Sequence, residues 1–305
     1  MKVSVVIPAH NAERFIRSTL ESVLAQTFGD LEVLVVDDGS SDATAEIVDS
    51  FGSPITLMAG PRLGVSAARN RGIAGARGEY VALLDHDDRW HPDKIRRQVE
   101  VLETDPIAGL VFTLAEVEEG GAVTGVFPEL PDPGRFLARA YENLAHWNYI
   151  PMSSVMLRRS ILAALKGPFD TSFSLAEDWD LWLRVAAGLP PGGVRFLPEP
   201  LTRYVILSGR ATERMADLRL EDLAIFHRQL AERPSLATED PERARATLHR
   251  LHLEAGYWLL KEGRRAEARR QLAAAWRRRP SSFKPLAYLA ASLIPALAGA
   301  RARCA

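Results

Sequence analysis

Two aspartates separated by one residue, Asp85 and Asp87, follow a short apolar run and could hold a metal ion. The run, residues 80–84, has the length and composition of a buried strand of a parallel sheet, and open α/β sheets bind their ligands at the carboxyl ends of such strands. Carboxylates gathered there repel one another. A divalent cation held by one or two of them, together with substrate phosphates, offsets that repulsion. The spacing therefore indicates a site for a metal ion and a diphosphate.

A structural role is the alternative for acids at this place. Acidic residues stabilise the first turn of a following helix, and Asp88 and Asp93 stand before a helical pattern that runs from about residue 92 to 104. An isolated Asp-x-Asp pair is weak evidence for a metal. The interpretation therefore depends on the rest of the chain.

The composition is that of an ordinary globular protein. The chain has 305 residues, of which 47% are hydrophobic and 25% are charged, enough for one large domain with or without an appendage. Its single cysteine, Cys304, excludes an intrachain disulfide and a cysteine-based zinc site, and fits a reducing compartment. Because the first residues have a strand pattern and not that of a signal peptide, we expect a cytoplasmic location.

Charge is unevenly distributed along the chain. Residues 241–305 hold 14 Lys and Arg against 4 Asp and Glu, a balance of +10, which leaves 24 against 35, a balance of −11, in residues 1–240. Such asymmetry predicts two modules with different neighbours, and the acidic module is not typical of a nucleic-acid-binding protein.

Strand and helix patterns alternate over the first hundred residues. Helical periodicity follows each of the first three strand-like runs, and Asn11 and Ser41 are suited to cap the first two helices. The alternation predicts an α/β fold with a Rossmann-like, mostly parallel sheet and helices on both faces. The four continuous apolar runs are residues 3–7, 31–36, 55–58 and 80–84.

A second acidic pair, Asp37 and Asp38, ends the second predicted strand and so faces the same crevice as the first. Two acidic clusters suit one nucleotide diphosphate if one accepts hydrogen bonds from the base or ribose while the other holds a cation. The glycine-rich loops of dehydrogenases and P-loop proteins are missing from the sequence. Residues 64–72 open a helix with small residues, from which Arg69 could reach an anionic nucleotide; tight helix packing is the structural alternative.

Further along, Gly120-Gly121 separates two strand-like pieces in a predicted surface hairpin, residues 136–146 are predicted to be helical, and residues 153–157 are predicted to form a strand. Variable loops such as these are where an acceptor substrate would dock.

Four of these segments, in this order, resemble family-two glycosyltransferases of the GT-A type: residues 4–11, 36–40, 64–72 and 84–88. The resemblance implies an inverting transferase that depends on Mn²⁺ or Mg²⁺ and uses a nucleotide-diphosphate sugar. By motif position, Asp38 or its neighbour Asp37 would contact the base or ribose. Asp85 would lie on the ribose side and Asp87 would hold the cation. The nucleotide pocket would be lined by Pro8, Ala9 and Glu13.

Glu177 and Asp178 precede another helical pattern, where they could simply be acids of a first turn. They also match the Glu-Asp pair of the same family, whose aspartate is the general base. Inverting transfer needs a carboxylate to take the proton of the acceptor hydroxyl. Residues 201–212 resemble the family segment that usually carries a histidine, and Leu207 stands in that place. Either Arg203 or Arg210 substitutes for the histidine, or the cation relies on Asp87, phosphates and water, or activity is impaired.

The chain beyond residue 215 is predicted to be helical. Residues 253–280 resemble one tetratricopeptide-like hairpin, with a packed helical appendage as the alternative. The apolar stretch 285–300 is shorter than the ~20 residues of a spanning helix and contains Pro295. With the basic residues 277–279 it could lie on an anionic membrane surface; a solvated face beside a packed helix is the alternative.

The sequence therefore predicts a GT-A catalytic domain over residues 1–212 and a helical region over 213–305, in which residues 281–305 are the candidate membrane-surface segment. The expected activity is glycosyl transfer from a nucleotide sugar, with UDP favoured, to a glycan or lipid-linked acceptor of envelope polysaccharide synthesis, at the inner face of the membrane if the tail binds it. A sugar nucleotidyltransferase and a non-catalytic nucleotide-sugar-binding scaffold are the alternatives.

Overall fold

The computed structural model describes residues 1–206 and 214–293. Two compact units make up the chain, Met1–Gly209 and Arg210–Ala305. Both this boundary and the one expected from the sequence fall within residues 207–213, outside the described residues.

The strands of the first unit form one mixed sheet. Within the described residues they are β1 (Val3–Ala9), β2 (Leu31–Asp38), β3 (Ile55–Gly60), β4 (Tyr80–Leu83), β5 (Arg89–Trp90), β6 (Leu110–Glu119), β7 (Ala122–Phe127), β8 (Met156–Arg158) and β9 (Val194–Ile206). The order is β3-β2-β1-β4-β8-β6-β9-β5, and β7 pairs with β6. Strands β1 to β4 run parallel to one another, and β6 runs parallel to β9, whereas β8 is antiparallel to β4 and β6, β7 to β6 and β5 to β9. The predicted α/β fold with a mostly parallel sheet is confirmed.

Helices connect these strands. In the first unit they are α1 (Ile16–Leu24), α2 (Thr44–Asp49), α3 (Val65–Gly75), α4 (Lys94–Thr104), α5 (Pro133–Leu137), α6 (Ala140–His146), α7 (Arg159–Ala164) and α8 (Glu177–Gly188). Every residue of β1 and β2 is buried, as expected for strands covered on both faces.

Helix α3 packs unusually close to the sheet. A Cβ added to Gly72 would lie 2.4 Å from Val6 Cγ1, so that only glycine fits this position without a shift. Tight helix packing was one of the two interpretations of the small residues in this segment, beside an approach of Arg69 to a nucleotide. The contact fixes α3 against β1 and thereby fixes the position of Arg69, three residues before Gly72.

The two predicted helix caps were wrong. Asn11 adopts a left-handed conformation (φ 49°), and α1 begins only at Ile16. Helix α2 begins at Thr44, beyond Ser41. The two side chains join the loops after β1 and β2 instead, since the Ser41 backbone N–H donates to Asn11 Oδ1 at 2.9 Å. Both loops leave the same edge of the sheet, which brings them within hydrogen-bonding reach.

The middle of the first unit agrees with the sequence in part. The predicted hairpin is confirmed, with Gly120 and Gly121 in left-handed conformations (φ 59° and 84°) between β6 and β7. The predicted helix over residues 136–146 divides into α5 and α6. The predicted strand over residues 153–157 begins only at Met156, because Met152–Ser154 forms a 3₁₀ turn.

The second unit is helical, as predicted for the C-terminal region. Its described helices are α9 (Met215–Glu232), α10 (Ser235–Thr238), α11 (Pro241–Lys261), α12 (Arg265–Arg278) and α13 (Lys284–Leu293). Helices α11 and α12 form a hairpin in which a Cβ on Gly256 would lie 2.6 Å from Leu272 Cγ. Its likeness to a tetratricopeptide repeat stays a prediction. Among the described helices none is both long and apolar enough to cross a bilayer.

Candidate active site

The polar edge of the sheet is formed by the carboxyl ends of β1, β2 and β4. Pro8 and Ala9 end β1 in register with Val36 and Asp37 of β2, and β4 lies on the other side of β1. His86, in the loop after β4, reaches back across this edge, with its Nδ1 3.2 Å from the Pro8 carbonyl oxygen. The two acidic segments predicted to face one crevice therefore leave neighbouring parts of the same edge.

The carboxylates at the end of β2 organise the adjacent loops. Asp38 accepts hydrogen bonds from the backbone N–H groups of Leu63 (2.7 Å) and Gly64 (2.8 Å), the residues that lead into α3. Asp37 accepts from both the backbone and the hydroxyl of Ser40. Both aspartates are buried. Their contact with a nucleotide stays a prediction, and the structure adds that each holds a loop of the predicted pocket.

Glu13 joins two elements in the same way. Its carboxylate accepts from the backbone N–H of Ala43 at 3.1 Å, next to the start of α2, and its own backbone N–H donates to Asp42 Oδ2 at 3.1 Å. The side chain is exposed. The predicted pocket-lining role of Glu13 is untested, whereas its anchoring of α2 is direct.

Arg69 links the loop after β4 to the start of α8. Its guanidinium is buried and donates to Asp85 Oδ1 at 2.6 Å and to Glu177 Oε1 at 2.5 Å. Burial disfavours the charge, but the two carboxylates outweigh it and keep the pKa of Arg69 above its ordinary value. Both terminal nitrogens are thus engaged by the protein. Arg69 lies beside the predicted donor site as an ion-pair partner of its acids.

Asp88 anchors the acidic loop, which follows β4 and carries Asp85 and Asp87. This buried carboxylate accepts from the Ser153 hydroxyl at 2.5 Å and from the backbone N–H of Val205 in β9 at 2.9 Å, while Ser153 Oγ also accepts from the backbone N–H of Asp85 at 3.0 Å. Burial, with Asp85 and Asp87 nearby, raises the pKa of Asp88 well above its usual range. Asp88 is therefore no helix cap, since α4 begins only at Lys94.

Asp85 and Asp87 are half-buried at this edge, and Asp85 Oδ1 accepts from Arg69. No cluster of three or more metal-binding side chains occurs within the part of the chain that the structure describes. A cation bound here would complete its coordination with ligand phosphates and water. Oxygen donors from one or two carboxylates fit Mg²⁺ and Mn²⁺, which bind in that manner.

The Glu177-Asp178 pair begins α8, and its two carboxylates face different partners. Glu177 holds Arg69, whereas Asp178 accepts from the backbone N–H of Trp179 at 2.6 Å and from Asn148 Nδ2 at 3.2 Å. Burial and the neighbouring charge of Glu177 raise the pKa of Asp178 to about 7, against the opposing effect of its hydrogen bonds and Arg69. A carboxylate with such a pKa is suited to accept a proton near neutral pH.

Three residues of this site carried no signal in the sequence analysis. Ser153 and Asn148 lie in a region without a recognisable motif, and their roles depend on partners 30 or more residues away. The third is Tyr204, a 42% exposed side chain whose pKa is raised to about 12 by desolvation of its hydroxyl and by the charges of the acidic loop and Asp178. Its phenol therefore lies close to the acids of the site.

The segment expected to carry the family histidine is described only as far as Ile206. Leu207 and Arg210 lie outside the described residues. Arg203 is described, and its guanidinium pairs with Glu116 at 2.7 Å in the neighbouring strand.

The fold and the site together define a glycosyltransferase of the GT-A type. The family model described as "Glycosyl transferase family 2" matches residues 4–164, and this chain belongs to that family.

Two relatives and one solved structure accompany the family match. The amylovoran biosynthesis glycosyltransferase AmsB of Erwinia amylovora is 34% identical over 213 residues, 66% of this chain and 68% of that protein. The UDP-Glc:alpha-D-GlcNAc-diphosphoundecaprenol beta-1,3-glucosyltransferase WfaP of Escherichia coli is 31% identical over 185 residues, 60% and 69% of the two chains. The mannosyltransferase PcManGT of Pyrobaculum calidifontis, solved with GDP-Man and Mn²⁺, is similar in fold, with a TM-score of 0.61, 22% identity and coverage of 95% and 79%.

Removing the charge of Arg69 will destabilise the first unit. In Arg69→Gln the carboxylates of Asp85 and Glu177 lose their shared cation, and breaking a buried ion pair in this way costs about 3 kcal/mol. The free energy of unfolding in urea measures the loss. Arg71→Gln, an exposed arginine two residues further along α3, is the matched control and will change it by less than about 0.5 kcal/mol. Equal stability of the two variants would refute the role of Arg69.

Proposed function

We propose that this family 2 glycosyltransferase is an inverting, metal-dependent enzyme that transfers a sugar from a nucleotide-diphosphate donor, with UDP favoured, to a glycan or lipid-linked acceptor of envelope polysaccharide synthesis. The observation that carries the proposal is the ion-pair chain from Asp85 through Arg69 to Glu177. It links Glu177, the neighbour of Asp178 at the start of α8, to the Asp-x-Asp motif about ninety residues earlier in the sequence, and Asp178 has a raised pKa.

The relatives support the donor and acceptor classes of the proposal. WfaP is named for transfer of glucose from UDP-Glc to a lipid-linked diphosphate, and AmsB for synthesis of the polysaccharide amylovoran. PcManGT was solved with a GDP-sugar and Mn²⁺, which supports a divalent cation but leaves the choice of nucleotide to experiment.

Asp178 is proposed as the general base. As the acceptor hydroxyl forms a bond to the anomeric carbon of the donor sugar, its proton passes to the Asp178 carboxylate, and the bond from that carbon to the diphosphate oxygen breaks. One displacement inverts the anomeric centre, so that no nucleophile from the protein is required. The hydrogen bond from Asn148 holds the carboxylate in place for this transfer.

Arg69 and Glu177 position this base. The positive charge of Arg69 balances the carboxylates of Asp85 and Glu177. The negative charge of Glu177 still contributes to the raised pKa of its neighbour Asp178. Asp87 is proposed to hold Mn²⁺ or Mg²⁺ with the donor phosphates. When bound there, the cation would stabilise the negative charge of the departing diphosphate.

Two other functions were open from the sequence. Membership of the glycosyltransferase family argues against a sugar nucleotidyltransferase. A non-catalytic, nucleotide-sugar-binding scaffold is the second, and Leu207 at the place of the usual histidine favours it. The two aspartate substitutions below separate it from the transferase, because a scaffold binds donor but does not turn it over.

Replacing Asp178 with asparagine will lower turnover without weakening donor binding. The base acts on the acceptor, and general-base catalysis contributes typically ~10²–10⁴-fold, so kcat will fall by that order while the donor KM stays nearly constant. Steady-state kinetics with a UDP-sugar measures both. Glu177→Gln is the neighbouring control and will cost less. If Asp178→Asn retains normal turnover while Glu177→Gln loses it, the two roles are reversed.

Replacing Asp87 with asparagine will abolish the dependence of nucleotide binding on metal. The variant loses an anionic oxygen that the cation requires, while the half-buried position makes folding insensitive to the change. Calorimetric titration of UDP with and without Mn²⁺ measures the effect. Asp93→Asn, an acid whose side chain bonds Thr27 and Arg96, is the control and will bind as the parent does. Unchanged UDP affinity in Asp87→Asn at saturating Mn²⁺ would exclude Asp87 as the ligand.

A further inference from the structure

The turn between α12 and α13 exposes large apolar side chains. Phe283 is 83% exposed, and Trp276 and Leu286 are 38% and 40% exposed. We call the region from Trp276 to Ala290 the α12–α13 corner. Phe283, Leu286, Ala287 and Ala290 are all exposed and follow the spacing i, i+3, i+4, i+7, which places them along one face of the helix. The opposite face of α13 packs inward, with Tyr288 against Tyr257 of α11 at 5.4 Å.

The same corner carries uncompensated positive charge. Arg277 and Lys284 are exposed and have no ion pair within residues 1–206 and 214–293, whereas Arg279 of the same corner pairs with Glu242 at 2.6 Å. Arg278 lies between them in sequence, and its pKa is lowered by partial burial and by the positive charge of Arg277. Helices α12 and α13 contain a single acidic residue, Glu267, which pairs with Arg264 at 2.9 Å, away from the corner.

Exposed aromatic residues beside lysine and arginine suit one kind of partner. Aromatic side chains settle at the interface between lipid headgroups and acyl chains, and basic residues are attracted to anionic headgroups. A short helix with an apolar face can lie in that interface without crossing the bilayer, and α13, at 10 residues, is far too short to span it. A protein partner would need an apolar groove flanked by acidic side chains. An anionic bilayer supplies negative charge and an apolar interior over a wide area.

We propose that the α12–α13 corner binds the surface of an anionic membrane, with Phe283 and Leu286 inserted among the headgroups and Arg277 and Lys284 against the lipid phosphates. This inference goes beyond the sugar transfer proposed above and does not depend on it, because no residue of the corner belongs to the candidate active site. Such binding would place the enzyme where lipid-linked acceptors are found.

Sedimentation of the full chain with lipid vesicles tests the proposal. The protein will bind vesicles of phosphatidylcholine containing about a third phosphatidylglycerol at low salt, will bind pure phosphatidylcholine far less, and will dissociate as salt rises. Phe283→Ser will weaken binding about tenfold, because an inserted phenyl ring is lost. Arg277→Gln will weaken it about fivefold, the share of one basic residue near such a surface.

Exposed residues of the first unit provide the controls. Val123→Ser, at a 50% exposed valine of β7, matches the loss of apolar surface, and Arg71→Gln matches the loss of charge. Neither control will change vesicle binding. Absence of binding to anionic vesicles at low salt, or equal losses in the corner variants and their controls, would overturn the proposal. So would a self-association of the protein that Phe283→Ser abolishes, since the corner would then be a contact between copies.

Discussion

The site depends on a balance of charge at the edge of the sheet. Five acidic side chains gather there, from the loop after β4 and from the start of α8: Asp85, Asp87, Asp88, Glu177 and Asp178. Mutual repulsion would drive these elements apart, and the buried guanidinium of Arg69 opposes it by pairing with one acid from each. The negative charge of Glu177 still acts on its neighbour, because it contributes to the raised pKa of Asp178.

Several acids at this edge have a structural role, because they accept hydrogen bonds from backbone N–H groups of neighbouring segments. Asp38 binds the residues before α3, and Asp88 binds both Ser153 and the end of β9. Gly72 then lets α3 approach the sheet closely enough for Arg69 to reach its partners. A substitution at any of these positions would act on catalysis indirectly, through the placement of groups that it does not touch.

Apolar runs and short motifs in the sequence predicted the architecture well and the candidate site in part. Apolar runs identified β1 to β4, and the ordered motifs identified the family, because both signals are contiguous in sequence. The wrong helix caps at Asn11 and Ser41 show the limit of local reasoning, since Asn11 Oδ1 accepts from the backbone N–H and the hydroxyl of Ser41 in the other loop instead of capping its own helix. The partners of Arg69 could not be predicted either. The Arg69–Glu177 pair joins residues 108 positions apart, and nothing in the spacing marks it.

The claim that Glu177 tunes Asp178 as the base is tested most directly by the pH dependence of turnover. Because the pKa of Asp178 is raised to about 7, the carboxylate is protonated and inactive below that pH and ionised above it. The rate under saturating donor and metal should therefore rise with pH and level off above about pH 7. In Glu177→Gln the neighbouring negative charge is lost, so the break should move to lower pH. A flat profile between about pH 5.5 and 8.5, or a break that Glu177→Gln leaves unmoved, would contradict the account.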